Sequence, residues 1–527
     1  MGNKYHGTCA SDGLFIGPVR RLAGQSYSRQ SSGDPATERD ALTEAIQQAA
    51  GDLTRLMETV DGESQDILAF QLAMLEDDAL TVAAFESIAA GTPADAAWSA
   101  ALNGEIAGYE TAQDEYFRAR AADLRDMRDR VLRRLTKAEE AAQGDGAVLV
   151  GDDIAPTVFL ETDWSHGGAI ALYRGSTTSH VAMLARARGI PMVVGLGGCE
   201  LAETQIAAVD GGAGLVVADP DQAEADQFSR ALEAQTSTRA AEDRFRRLPA
   251  LQKNGMRIDV LINVAGVEEL DHINPADCDG IGLMRSEFLF RDGAPLPGEE
   301  AQYLAYRRFV EWAAGKPVTI RTLDIGGDKP VRGLTPEGEA NPFLGLRGVR
   351  LTLAREDVFR TQLRALARAC VHGSLKVMLP MVTIPGELSR SAELLEDCIR
   401  ELERENIPCK RPPLGIMVEV PAVAVVPELF RAAEFFSIGS NDLTQYVTAS
   451  SRDDPRVAAL NDPGHPAVLR LIAEVARFGA AEQIPVSLCG DMASEPRHLP
   501  SLLAAGLTSL SVAPARLARV KAAISEL

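Results

Sequence analysis

From residue 250 onward the sequence repeats one pattern that few folds can absorb. Short apolar runs alternate with helical segments: RIDVLIN (257–263), GIGLMR (280–285), VTIRTL (318–323), LKVMLPM (375–381), LGIMVE (414–419), FSIG (436–439), VSLC (486–489) and LSV (510–512). Runs this short and this apolar suit strands buried on both faces, and parallel strands need helical crossovers between them. Eight such units are the count of a (β/α)8 barrel. In that fold the reactive groups gather at the carboxyl ends of the strands. The residues that fall there are Asn263, Arg285, Arg321, Glu419, Asn441, Asp442 and Cys489. Any one of them could be structural, but a purely structural barrel would not be expected to collect so many polar groups at one end.

The first half has a different texture. Residues 9–20 read as a strand, and AGQSYSRQSSGDP (23–35) as a flexible polar linker. Leu124, Met127, Val131 and Leu135 recur at helical spacing with arginines between them. The spacing predicts long helices over 36–140, packed as antiparallel hairpins, without strands. AVLVG (147–151) opens a run of short strands and Gly-rich turns that reaches Val216. An α/β domain is therefore expected from segments 1–35 and 141–219, with 36–140 as a helical insertion. Residues 220–249, polar and rich in Ala, Glu and Arg, read as a linker helix ahead of a barrel over 250–527.

The strand-end residues limit the chemistry. Glu419 and Asp442 follow adjacent strands, and two carboxylates with open positions suit Mg2+, a hard cation that keeps waters and takes phosphate oxygens. The competing reading pairs one carboxylate with an arginine. Arg285 and Arg321 end neighbouring strands, Arg347 lies in NPFLGLR (341–347), and Arg452 follows the Asp442 strand. Planar guanidinium forks grip carboxylate and phosphate, so the set implies a small, highly anionic substrate such as a phosphorylated carboxylic acid. Lys329 either adds a charge there or is a solvated loop lysine. Cys489 is either a general acid facing the site or a buried small hydrophobe. His180 stands outside the barrel, at the start of the helical run HVAMLARAR (180–188). Thr178 or Ser179 can cap that helix, and Gly189 with Pro191 ends it. A helix N-terminus favours a neutral imidazole before phosphorylation and an anion after it. Taken alone, the stretch describes an ordinary surface histidine at a helix start better than it describes a nucleophile.

Composition excludes some classes. The net charge of −22 argues against a nucleic-acid partner. Seven cysteines without CxxC spacing indicate neither a zinc site nor a disulfide framework. No apolar run is long enough for a membrane span, and MGNKYHGTCA lacks the core of a signal peptide. A cytoplasmic protein is expected.

Together these motifs resemble one family. TSHVAMLAR (178–186) with GIPMVVG (189–195) is similar to the phosphohistidine signature of Enzyme I, the phosphoenolpyruvate–protein phosphotransferases of bacterial phosphotransferase systems. DGIGLMRSEFLF (279–290), TIRTLDIGGDK (319–329), NPFLGLR, GIMVEVP (415–421), FSIGSNDLTQY (436–446) and SLCGDMA (487–493) resemble its barrel signatures, which pyruvate phosphate dikinase and phosphoenolpyruvate synthase share. The resemblance implies His180 as the phosphorylated nucleophile and Glu419 and Asp442 as Mg2+ ligands. It implies Arg285, Arg321, Arg347, Asn441 and Arg452 as ligands of phosphoenolpyruvate, and Cys489 as the acid that yields pyruvate. It further implies an HPr-like histidine phosphocarrier protein as partner, docked on the helical insertion, and a homodimer through the barrel. Two departures stand out: Gly175-Ser176-Thr177 where the family commonly has Gly-Gly-Arg, and Ser451-Arg452-Asp453-Asp454 where it has Asp-Arg-Gly-Asn. The alternatives are an ATP-dependent synthase or dikinase relative, for which the N-terminal half is too short and a P-loop pattern is missing, and a non-catalytic regulatory homologue. With no sensory domain ahead of residue 1, the sugar-transport branch is the expectation over the nitrogen-regulatory one.

Overall fold

The computed structural model describes residues 2–22, 27, 29–60, 62–75, 77–110, 115–137, 146–177, 179–198, 201, 204–290, 295–327, 331, 333–336, 338–451 and 456–527. The chain forms two compact units, Met1–Ser237 and Thr238–Leu527.

The first unit holds strands β1 (Asn3–His6), β2 (Thr8–Ser11), β3 (Leu14–Arg21), β4 (Val148–Gly151), β5 (Ala169–Leu172), β6 (Met192–Val194), β7 (Ile206–Asp210) and β8 (Leu215–Ala218). They make one sheet in the order β1-β8-β7-β3-β4-β5-β6-β2. Its centre, β3 to β6, is parallel, and the remaining pairings are antiparallel. The first three strands therefore share a sheet with strands formed after residue 147. Both faces are covered, as strand alternation requires. Leu149, Ile170, Leu172 and Met192 point to one apolar cluster, while Val148, Val150, Ala169, Ala171 and Val193 point to another.

Among the described residues between β3 and β4 run five helices: α1 (Pro35–Met57), α2 (Gly62–Leu75), α3 (Asp78–Ala89), α4 (Ala94–Glu110) and α5 (Glu115–Thr136). Leu42, Leu53, Trp98, Leu124, Met127 and Val131 are among the buried residues they share with one face of the sheet. Along α5 a second, polar stripe is also buried: Asp123, Asp126 and Arg130. It is satisfied from neighbouring elements, as buried polar groups must be. Asp126 accepts from Gln71 Nε2 at 3.1 Å, from Thr157 N at 3.1 Å and from Thr157 Oγ1 at 2.6 Å. Arg130 pairs with Glu161 at the far end of α6 (Pro156–Glu161).

The linker expected to be flexible is pinned at its second half. Glu38, buried in the first turn of α1, accepts from the Ser32 amide at 2.7 Å, the Ser32 hydroxyl at 2.8 Å and the Ala94 amide at 2.8 Å, and pairs with Arg29. The carboxylate needs these partners to remain charged out of water, and they fix residues 29–32. By contrast α8 (Gln222–Asp243) buries none of its residues, which marks a solvated connecting helix.

The second unit is a closed barrel of eight parallel strands: β10 (Arg257–Val264), β11 (Ile281–Arg285), β12 (Val318–Arg321), β13 (Leu375–Leu379), β14 (Leu414–Val418), β15 (Phe436–Ile438), β16 (Val486–Leu488) and β17 (Ser509–Val512). β10 closes onto β11, and a two-residue strand β9 (Ala250–Leu251) lies antiparallel to β10. All eight expected strands are present. Ile262, Met284, Ile320, Val377, Ile416, Val418, Ile438 and Leu488 pack outward into the large core shared with the helices. Leu283, Met378, Met417 and Cys489 form a separate small cluster inside. Because the side-chain period of a strand is two, the same parity turns Asn263, Arg285, Arg321, Glu419 and Ser437 inward. No helix among the described residues is long and apolar enough to cross a membrane.

Candidate active site

The barrel register brings the strand-end residues into one mouth. Arg285 and Arg321 are partners across β11 and β12. Glu419 directly follows β14, and Asp442 lies in the first turn of the helix Ser440–Thr448 that follows β15. Arg347 reaches the same place from a loop shaped by two glycines. A Cβ on Gly326 would lie 2.8 Å from Arg347 Cβ, and one on Gly348 would lie 2.9 Å from Met381 Cβ. Both glycines also have positive φ, 102° and 58°, where side chains are disfavoured.

Carboxylates link these arginines. Arg321 bonds Glu287 at 3.0 Å and Asp324 at 2.8 Å. Arg347 bonds Asp324 at 3.1 Å, Asp442 at 3.3 Å and the Tyr446 hydroxyl at 3.4 Å. Burial alone would disfavour charge on both guanidiniums, but the surrounding carboxylates hold them protonated. Arg285 carries no hydrogen bond or ion pair within the described residues, and Arg321 Nε is buried without a partner. These are donors available to a ligand.

Glu419 is the unusual member. It is buried, and its Oε1 accepts the Met381 amide at 2.6 Å. Met381 holds the left-handed φ of 57° to present that amide, a conformation that costs a non-glycine residue strain. Desolvation, then the charges of Asp442 and Asp324, push the Glu419 carboxyl up to about 8, against the arginines. With Arg285 counted beside Arg321 and Arg347, the mouth has four carboxylates, Glu287, Asp324, Glu419 and Asp442, for three guanidiniums. It is short of positive charge, and its spare donors are hard oxygens. A divalent cation of the Mg2+ class fits that deficit. Among the described residues there is no group of three or more His, Cys, Asp or Glu arranged as metal ligands.

Cys489 sits inside the barrel. Its Sγ accepts from the Ser437 hydroxyl at 3.3 Å and lies 3.6 Å from the Ile438 carbonyl. Burial pushes the thiol up to about 11, outweighing Ser437 and the nearby arginines. It is therefore a protonated thiol at neutral pH, able to give a proton away. Asn263 plays a supporting part: its amide donates to the Cys489 carbonyl at 3.0 Å and its Oδ1 accepts from Ser511 at 2.6 Å. Asn441 spends its amide on Asp491, donating to the carboxylate at 2.8 Å and accepting its N–H at 2.9 Å. Arg452 and Lys329 lie outside the described residues.

In the first unit, His180 opens α7 (His180–Arg188). Ser179 is the cap, its hydroxyl accepting from the Ala182 amide at 3.2 Å; Thr178 lies outside the described residues. Gly189 ends the helix at φ 67°. Asp123 of α5 faces the His180 ring at 3.4 Å.

Sequence reasoning missed Glu287, Asp324, Ser437 and Asp123. Glu287 and Asp324 follow strand-end arginines by two and three residues, in MRSE and RTLD; Asp324 folds back on its own arginine, Arg321, whereas Glu287 crosses to Arg321 and leaves Arg285 unpaired among the described residues. Asp123 belongs to a charged stripe that recurs with the period of an apolar helix face. Nothing local in the sequence marks Ser437 beyond its inward parity.

Comparison with known proteins covers most of the chain. Three family models match: PEP-utilising enzyme, N-terminal, at residues 6–120; PEP-utilising enzyme, mobile domain, at 143–214; and PEP-utilising enzyme, PEP-binding domain, at 239–527. A phosphoenolpyruvate-protein phosphotransferase of Enterococcus faecalis is 32% identical over 544 residues, covering 100% of this chain and 95% of that protein. One from Geobacillus stearothermophilus is 33% identical over 546 residues, covering 100% of this chain and 94% of its own. A multiphosphoryl transfer protein of Rhodobacter capsulatus is 36% identical over 532 residues, and the chain spans 64% of its length.

Proposed function

This chain belongs to the PEP-utilising enzymes, alongside their phosphoenolpyruvate–protein phosphotransferases, and on that premise we propose that it moves the phosphoryl group of phosphoenolpyruvate to His180 and on to a histidine phosphocarrier. The observation that carries the reading is the barrel mouth, where three arginines, a carboxylate set short of positive charge and one protonated thiol meet at strand ends.

Phosphoenolpyruvate has a carboxylate and a phosphate for guanidinium forks to hold. Arg285 and the free edge of Arg321 are donors for it, with Arg347, Asn441 and Arg452 completing the set. Glu419 and Asp442 would hold Mg2+, which when bound supplies positive charge to the transferring phosphoryl group. His180 attacks phosphorus, the bond from phosphorus to the enol oxygen breaks, and its electron pair leaves on the enolate. Cys489 gives its proton to the enolate methylene carbon, and pyruvate is released. The capped start of α7 favours an uncharged ring before transfer and the phosphoryl anion after it.

His180 and the barrel belong to different units, so each turnover needs the histidine to reach the barrel and then the carrier. The solvated helix α8 is the hinge candidate. The reading places an HPr-like protein on the helical insertion, a homodimer through the barrel, and the enzyme in the cytoplasm. In this division segments 1–35 and 141–219 act as the phosphohistidine domain, 36–140 as the carrier platform, 220–249 as the linker and 250–527 as the phosphoenolpyruvate domain.

The direct test is labelling with radioactive phosphoenolpyruvate and Mg2+. The wild type takes one acid-labile label that His180→Ala lacks. Label persisting on that variant would remove His180 from the mechanism.

A further inference from the structure

We propose that Asp123 is the positioning carboxylate of His180. It keeps the ring proton on Nδ1 and so leaves Nε2 as the nitrogen that takes the phosphoryl group. The catalytic part rests on the reading of His180 as the phosphoryl acceptor; the contact itself does not.

Both oxygens of Asp123 lie 3.4 Å from His180 Nδ1. The Asp123 side chain is 1% exposed, whereas the His180 ring is 15% exposed. An ionised carboxylate can only accept. A hydrogen bond between the two therefore requires the proton on Nδ1, and a neutral imidazole protonated there carries its lone pair on Nε2. The two partners are held from separate elements. Asp123 sits on α5, whose next buried polar residues, Asp126 and Arg130, are anchored to α6. The ring sits on α7, started by the Ser179 cap. The carboxylate is thus fixed by a bundle that the ring docks against, and not by the histidine's own loop.

The arrangement suits both halves of a transfer. As Nε2 forms its bond to phosphorus, the bond from phosphorus to the donor oxygen breaks and its electrons leave on that oxygen. The ring keeps the Nδ1 proton and becomes formally cationic, and the Asp123 carboxylate offsets that charge. Onward transfer returns the electron pair to Nε2 without any proton leaving Nδ1. On this reading the helical insertion contributes a residue to the chemistry as well as a surface for the carrier.

The test is nitrogen NMR of the full chain labelled with nitrogen-15 in histidine, joined to rapid phosphoryl uptake from phosphoenolpyruvate and Mg2+. Neutral His180 is expected in the Nδ1–H form, although free imidazole side chains favour Nε2–H. In Asp123→Ala the ring shifts to Nε2–H. Uptake then slows on the order of 10²-fold through lost orientation, while the KM for phosphoenolpyruvate stays unchanged. Asp123→Asn, isosteric but able to turn its amide N–H toward the ring, also moves the ring toward Nε2–H and does not recover the rate. A wild-type ring in the Nε2–H form, or an unchanged tautomer in Asp123→Ala, overturns the proposal even if uptake falls. If Asp123→Ala does not fold, the wild-type tautomer and the Asn variant decide. An Nδ1–H ring that takes no label separates the two ideas: the contact stands, and the phosphotransfer reading, with the catalytic role built on it, falls.

Discussion

If Glu419 and Asp442 hold Mg2+, metal binding must expel a proton, and the pH dependence can be worked from the site. Desolvation and the neighbouring carboxylates raise Glu419 to about 8. At neutral pH a carboxyl raised this far is held largely protonated, and a metal ligand must be ionised, so binding should release a proton. Affinity should then weaken about tenfold for each pH unit below 8 and level off above it. Calorimetry of Mg2+ binding in buffers of different ionisation enthalpy reads the released proton directly. Glu419→Gln should abolish the release. Stability carries the same sign. The unfolded carboxyl ionises near 4.5, so the metal-free fold loses stability as the pH rises from 4.5 through 8, because the unfolded chain ionises freely and the folded chain resists. Mg2+ should therefore raise the melting temperature more on the alkaline side of 8 than on the acid side of it. A heat of binding independent of buffer at pH 7, together with a pH-independent affinity, would refute the argument that Glu419 is a strained carboxyl awaiting a cation.

Two other predictions follow from single groups. Cys489, held up to about 11 by burial, should keep its proton through pH 9, so the alkaline limb of pyruvate release should not fall before about pH 10 and iodoacetamide should react slowly at pH 8; Cys489→Ala should slow pyruvate formation by roughly 10²-fold or more, measured by coupled pyruvate assay. Glu38 is drawn down to about 2, because the Ala94 and Ser32 donors and Arg29 outweigh its burial. Its contribution is present above its unfolded value of 4.5 and is lost as the pH falls from 4.5 through 2; acid unfolding of the helical insertion, followed by circular dichroism, should begin at higher pH in Glu38→Gln, and an unchanged midpoint would count against the pinned linker.

Much of the barrel was legible because its information is local. A buried parallel strand is a short apolar run, and eight such runs with helices between them leave few closures open. The same period of two that buries Val418 and Leu488 against the helices turns Glu419 and Cys489 inward, so reading the strands also located the mouth. The start of α7 was legible for the same kind of reason, since a cap acts over three residues. The pinned linker was not. Its polar and glycine-rich composition describes a free segment, and only the position of Ala94 in the next hairpin pair shows that Glu38 binds it from both sides.

By itself, then, the sequence determined which residues could carry phosphoryl chemistry and the order in which strand ends would offer them, because periodicity and capping are short-range consequences of backbone geometry. Only the tertiary structure decided how those residues share charge. Arg321 and Arg347 are joined through Asp324, Glu419 is starved of a counter-charge, and Asp123 meets His180 from 57 positions away in the chain. Electrostatic balance depends on distance and burial in space, and neither quantity is written in the spacing of residues along the chain.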